Sequence, residues 1–60
     1  MEERKERMIR DWFILRYHKL PDYDIEYYED WVKRFAAGDA LNFMDIKSRA
    51  AWTKVENAYH

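Results

Sequence analysis

The arrangement of this chain depends most on residues 38–58, which read GDALNFMDIKSRAAWTKVENA. Gly38 and Asp39 stand in the order that ends one helix and begins the next, because glycine adopts the left-handed conformation of a helix C-cap and aspartate is a favoured N-cap. The apolar and small residues that follow alternate spacings of three and four, which is typical of a helix packed against other helices. These residues are Leu41, Met44, Ser48, Ala51, Val55 and Ala58. We therefore predict one continuous helix over 40–59.

The same stretch allows a second interpretation, in which the third helix breaks near Met44 and Asp45 caps a shorter helix with Ser48 at its third position. A separate apolar stripe makes this choice matter. Phe43 and Ile46 project away from the main stripe, given about 100° of rotation per residue. Because an unbroken helix cannot bury both stripes in a monomeric bundle, either the helix breaks and Phe43 turns inward, or the stripe contacts another chain.

Two further helices are predicted before this joint, over 2–19 and 24–37. Each carries apolar residues at helical spacing, and Pro21 ends the first because the residue before a proline is pushed away from helical geometry. The chain contains only one glycine and one proline, and no segment alternates as a strand would. The sequence therefore predicts an all-α fold, a compact three-helix bundle that forms a single domain over 1–60.

Composition excludes several classes of protein. The 60 residues include no cysteine, so disulfides and thiolate metal sites are ruled out. The longest apolar run, 12–15, is far too short for a membrane span, and the acidic N-terminus does not resemble a signal peptide. We therefore expect a cytoplasmic protein without membrane contact, of bacterial or phage origin. The formal net charge of −1 neither demands nor forbids a particular partner.

Residues 22–31, DYDIEYYEDW, combine five carboxylates with four aromatic side chains and no basic residue. One interpretation is structural: Tyr28 and Trp31 lie in the core, and the carboxylates stabilise a helix N-terminus. The other is a docking face for a basic protein surface, since tyrosine and tryptophan are common interface anchors and carboxylates attract basic partners. The candidate partner-binding residues, including the second apolar stripe, are Tyr23, Glu26, Tyr27, Glu29, Asp30, Phe43 and Ile46.

We therefore predict a protein-binding adaptor, inhibitor or regulator whose partner has a basic surface or is a second copy of the chain. Alternatives are a small dimeric DNA-binding or DNA-architecture regulator and a structural subunit of a larger assembly. We do not expect nucleic-acid binding, because acidic residues interleave with the basic ones. We expect no enzyme activity, cofactor or metal site, because only a loose set, His18 with Asp22 and Asp24, offers ligands. Arg16, on an apolar helix face, is expected to extend its guanidinium to water or a carboxylate.

Overall fold

The protein is seen in a computed structural model that describes residues 2–21 and 25–59, with the backbone alone at Ile25. The predicted all-α three-helix bundle is confirmed: the described residues form three α-helices and no strand. A short 3₁₀ helix precedes the third of them. The elements are α1 (Glu3–Tyr17), α2 (Ile25–Ala37), the 3₁₀ helix (Ala40–Phe43) and α3 (Ile46–Ala58).

An aromatic cluster joins the three helices. Trp12 of α1 is fully buried, and its ring meets Trp31 of α2 edge to face with the ring centroids 4.9 Å apart. Phe35 of α2 packs on Trp12 at 5.4 Å and on Trp52 of α3 at 4.7 Å. Each aromatic pair of this kind is worth about 0.5–1.5 kcal/mol beyond the area it buries. A bundle this small therefore gains much of its cohesion from these few rings.

α1 ends two residues earlier than predicted. His18 adopts a left-handed conformation with φ of 57°, and its N–H donates to the carbonyl of Ile14 at 2.8 Å. The chain leaves the helix there, ahead of Pro21. Leu15 and Leu20, which the periodicity places on the apolar face, remain 40% and 43% exposed.

The predicted joint at Gly38 is confirmed. Gly38 has a φ of 81°, its N–H donates to the carbonyl of Phe35 at 3.1 Å, and the N–H of Asp39 donates to the carbonyl of Arg34 at 3.2 Å. These two bonds form the Schellman motif that satisfies the last carbonyls of a helix. The N-cap role predicted for Asp39 is wrong, because its side chain makes no capping hydrogen bond and only the 3₁₀ helix follows it.

The continuous helix predicted over 40–59 is also wrong, and the alternative break is the one observed. Met44 and Asp45 are extended, and Asp45 Oδ1 accepts a hydrogen bond from the N–H of Ser48 at 2.8 Å. The break turns Met44 into the core, where it is 6% exposed. Phe43 does not turn inward as expected for a break: it stays 56% exposed, and Ile46 is 86% exposed.

Candidate protein-binding surface

Two side chains of α1 hold the first turn of α3 in place. Arg16 donates from Nε to Ser48 Oγ at 2.9 Å and from Nη2 to Asp45 Oδ2 at 2.8 Å. One turn earlier, Trp12 Nε1 donates to the carbonyl of Ser48 at 2.9 Å. The carboxylate expected for the Arg16 guanidinium is therefore that of Asp45. Because these bonds fix the N-terminus of α3, the exposed Ile46 stands on a rigid backbone.

Asp45 is held in its ionised form by the same contacts. The hydrogen bond from Arg16, followed by those from Ser48, lowers the pKa of the Asp45 carboxyl well below its usual range. The hydrogen bond to Asp45 in turn raises the pKa of Arg16. Their contact is the only ion pair within residues 2–21 and 25–59. The charge of Arg16 is thus largely neutralised, so it adds little net positive charge to its surroundings.

The 3₁₀ helix presents Phe43 in a fixed position. The guanidinium carbon of Arg34 lies 4.8 Å from the ring centroid of Trp31 and 4.7 Å from that of Phe43, which places the cation against both rings. Arg49 Nη2 donates to the carbonyl of Leu41 at 3.0 Å and so ties the 3₁₀ helix to α3. These contacts keep Phe43 at the surface and limit its freedom to fold into the core.

Beside Ile46 lies a shallow open groove with an excess of positive charge. It is lined by Arg16, Met44, Asp45, Ile46, Lys47 and Arg49. Since Arg16 and Asp45 pair with each other, Lys47 and Arg49 remain as the cations that set its charge. The exposed apolar side chains at the start of α3 therefore border a basic rim, which the sequence analysis did not predict.

The predicted acidic face of α2 is divided in two. Glu26 and Asp30 are exposed on the side of the helix that also carries Arg34. Glu29 lies about 100° further round the helix from Asp30. It lines a different groove, together with Glu6, Tyr28, Val32 and Lys33. Glu29 is a surface neighbour of Glu26, three residues before it, but the helix turns Glu29 away from Asp30, so the three carboxylates do not share one narrow stripe.

Tyr27 belongs to the margin of the aromatic cluster. It is 38% exposed, and its hydroxyl shares a 2.7 Å hydrogen bond with that of Tyr17. Burial, with the hydrogen bond to Tyr27 as the next cause, raises the pKa of Tyr17 to about 12. The exposed part of Tyr27 can thus contact a partner at the edge of a binding surface, but not as a central residue of it. Tyr23 lies outside the described residues.

Two series of contacts and chain neighbours link four of the predicted residues, and the fifth, Glu26, lies one helical turn before Asp30. On one side, Arg34 follows Asp30 by one helical turn and touches Phe43. On the other, Tyr27 shares a hydrogen bond with Tyr17, which is next to Arg16 in the chain. Arg16 in turn bonds to Asp45, the residue before Ile46. We call this surface the candidate face. It consists of Glu26, Tyr27, Asp30, Phe43 and Ile46.

The sequence analysis did not predict the buried contacts that hold the start of α3 beneath the candidate face. Ser48 was expected on the helix-packing stripe or at the third position of a helix capped by Asp45, and its contacts with α1 were not predicted: its backbone and hydroxyl receive the bonds from Trp12 and Arg16. The signal was present in the alternative cap, where Asp45 precedes Ser48 by three residues. Of the loose set of possible metal ligands, His18 is exposed, and Asp22 and Asp24 lie outside the described residues.

No protein-family model matches this sequence, and no curated protein or solved structure is significantly similar to it. In the part of the chain that the structure describes, no helix combines the length and the apolar character that crossing a bilayer requires. The function is therefore inferred from the geometry of the candidate face.

Proposed function

We propose that this protein acts as an adaptor, inhibitor or regulator by binding another protein through the candidate face. The observation that carries the proposal is the exposure of Ile46 (86%) and Phe43 (56%) on a backbone fixed by hydrogen bonds. A 60-residue chain has few apolar residues to spare from its core. Leaving two large ones in water, with Leu41 nearby at 49% exposure, favours a surface that a partner covers.

The chemistry around these residues favours a protein partner. Protein interfaces combine an apolar, aromatic centre with a polar rim. Here Phe43 and Ile46 supply the centre, Tyr27 flanks it, and Glu26 and Asp30 supply exposed carboxylates. Carboxylates at a rim accelerate association with a basic partner and make it sensitive to salt. The expected partner therefore presents apolar side chains next to basic ones.

Site-specific photocrosslinking tests the proposal. A photoreactive phenylalanine analogue replaces Ile46 in one variant and Arg7, exposed on α1 away from the candidate face, in a control. Irradiation in the source cells should attach a protein to the Ile46 variant and none to the Arg7 variant. The same adducts from both positions, or none from Ile46, would contradict a binding role for this surface.

Reversing charge in the candidate face tests its electrostatic part. Glu26→Lys with Asp30→Lys should lower the crosslinking yield at Ile46 while the bundle stays folded, because both side chains are exposed. A small loss of helicity is expected from Glu26, which lies in the first turn of α2. Lys33→Glu, on the same helix, serves as the control for a changed charge on α2. An unchanged yield in the double variant would show that the two carboxylates do not contribute to binding.

A further inference from the structure

We propose that the protein bound at the candidate face is a second copy of this chain, in a two-fold symmetric dimer. This inference rests on the proposed function and deepens it by naming the partner. Its basis is the placement of opposite charges on either side of the contact between Arg34 and Phe43: an acidic half on α2, Glu26 and Asp30, and an apolar half with a basic rim at the start of α3, Ile46 with Lys47 and Arg49.

The order of these groups makes the surface self-complementary. Arg34 and Phe43 are in contact and lie between the two halves, since Arg34 is one turn from Asp30 and Phe43 is three residues from Ile46. In a two-fold dimer each residue contact occurs twice, because both subunits use the same patch. An axis close to Phe43 therefore places the acidic half of each subunit against the basic rim of the other.

Charge and area agree with this arrangement. Glu26 and Asp30 have no ion-pair partner among the described residues, and neither do Lys47 and Arg49. The formal net charge of −1 leaves little repulsion between copies. A standard interface takes about 800 Å² from each partner, which is close to a fifth of the 4443 Å² surface of this chain. The dimer therefore has to cover exposed parts of α2, the 3₁₀ helix and α3 together.

Complementary charge reversal tests the dimer. One variant carries Glu26→Lys and Asp30→Lys. The other carries Lys47→Glu, which leaves Arg49 and its hydrogen bond to the carbonyl of Leu41 intact. By sedimentation at low salt, the wild type should reach twice the 7.5 kDa monomer mass at high concentration. Each variant alone should dissociate at least about tenfold more readily, because like charges then face each other. An equimolar mixture should recover the doubled mass, since the substituted position 47 of one chain then faces the substituted positions 26 and 30 of the other with opposite charge.

Controls separate the interface from folding and from net charge. Glu2→Lys with Glu3→Lys gives the same charge change at the start of α1 and should leave the dimer intact. Ile46→Glu should abolish the dimer while retaining the helicity of the wild type, because Ile46 is 86% exposed.

Three results would overturn the dimer: a wild type that stays at 7.5 kDa, a mixture that does not recover the doubled mass, or association only in the presence of duplex DNA. If the Ile46 photocrosslink then captures a different protein, the proposed function stands and only self-association falls. If Ile46 captures nothing, both fall.

Discussion

The position of the break before α3 can be tested by two substitutions only two residues apart. Met44 is 6% exposed and Ile46 is 86% exposed. Truncating a buried methionine to alanine costs about 2–5 kcal/mol. Full burial of an isoleucine contributes about 1.5–3 kcal/mol, so the small fraction of Ile46 that is covered accounts for only about 0.2–0.4 kcal/mol. Alanine is also the better helix former, which offsets part of that loss.

Urea unfolding followed by tryptophan fluorescence measures the difference, because Trp12, Trp31 and Trp52 are all buried. The protein should be at low micromolar concentration, where self-association does not contribute. With a slope near 1 kcal/mol per molar urea, Met44→Ala should lower the midpoint by about 2 M or more, and Ile46→Ala by less than about 0.5 M. Equal losses in the two variants would mean that Ile46 is a core residue and that the break is misplaced.

Four further outcomes follow from the helix ends and the titrating groups. Gly38→Ala should lower the free energy of unfolding by about 1–2 kcal/mol, from backbone strain alone, since no atom lies within 4 Å of the added Cβ. His18→Gly should raise the free energy of unfolding by about 0.5–1 kcal/mol. Both changes are measured by urea unfolding. Folding lowers the pKa of the Asp45 carboxyl. Its contribution to the free energy of unfolding is therefore present above the unfolded pKa of about 3.9 and is lost as the pH falls. Asp45→Asn should accordingly make stability fall less steeply as the pH is lowered into the acid range. Folding raises the pKa of Tyr17 to about 12, so the pH dependence is reversed. Stability is lost as the pH rises from about 10 towards 12, and Tyr17→Phe should reduce that loss.

The sequence predicted the helices better than the path between them. Periodicity located α1 and α2, and the glycine at position 38 marked the end of α2, because these signals are local. The break at Met44 could not be decided in the same way. A regular apolar pattern favoured an unbroken helix. The contacts that favour the break come from Trp12 and Arg16 of α1, and Trp12 is more than thirty residues before its partner Ser48 in the chain.

The candidate face was predicted in part for a similar reason. Exposure of Phe43 and Ile46 was predicted for an unbroken third helix, and a break was expected to turn Phe43 inward. The structure combines the break with exposure of both side chains. The basic rim could not be anticipated, because it depends on Asp45 pairing with Arg16 and leaving Lys47 and Arg49 without an acidic partner among the described residues. Tyr27 was predicted to bind a partner, but its hydroxyl bonds to Tyr17, a contact between two helices that no local pattern reveals.

Amide chemical shifts recorded across a dilution series test the candidate face most directly. A ¹⁵N-labelled chain is compared from millimolar to low micromolar concentration by two-dimensional NMR. The shifts that change should belong to Glu26, Asp30, Arg34 and residues 41–49, the two halves of the surface and the contact between them. Shifts that do not change over the whole range, or that change around Tyr28 in the opposite groove of α2, would contradict self-association through this face.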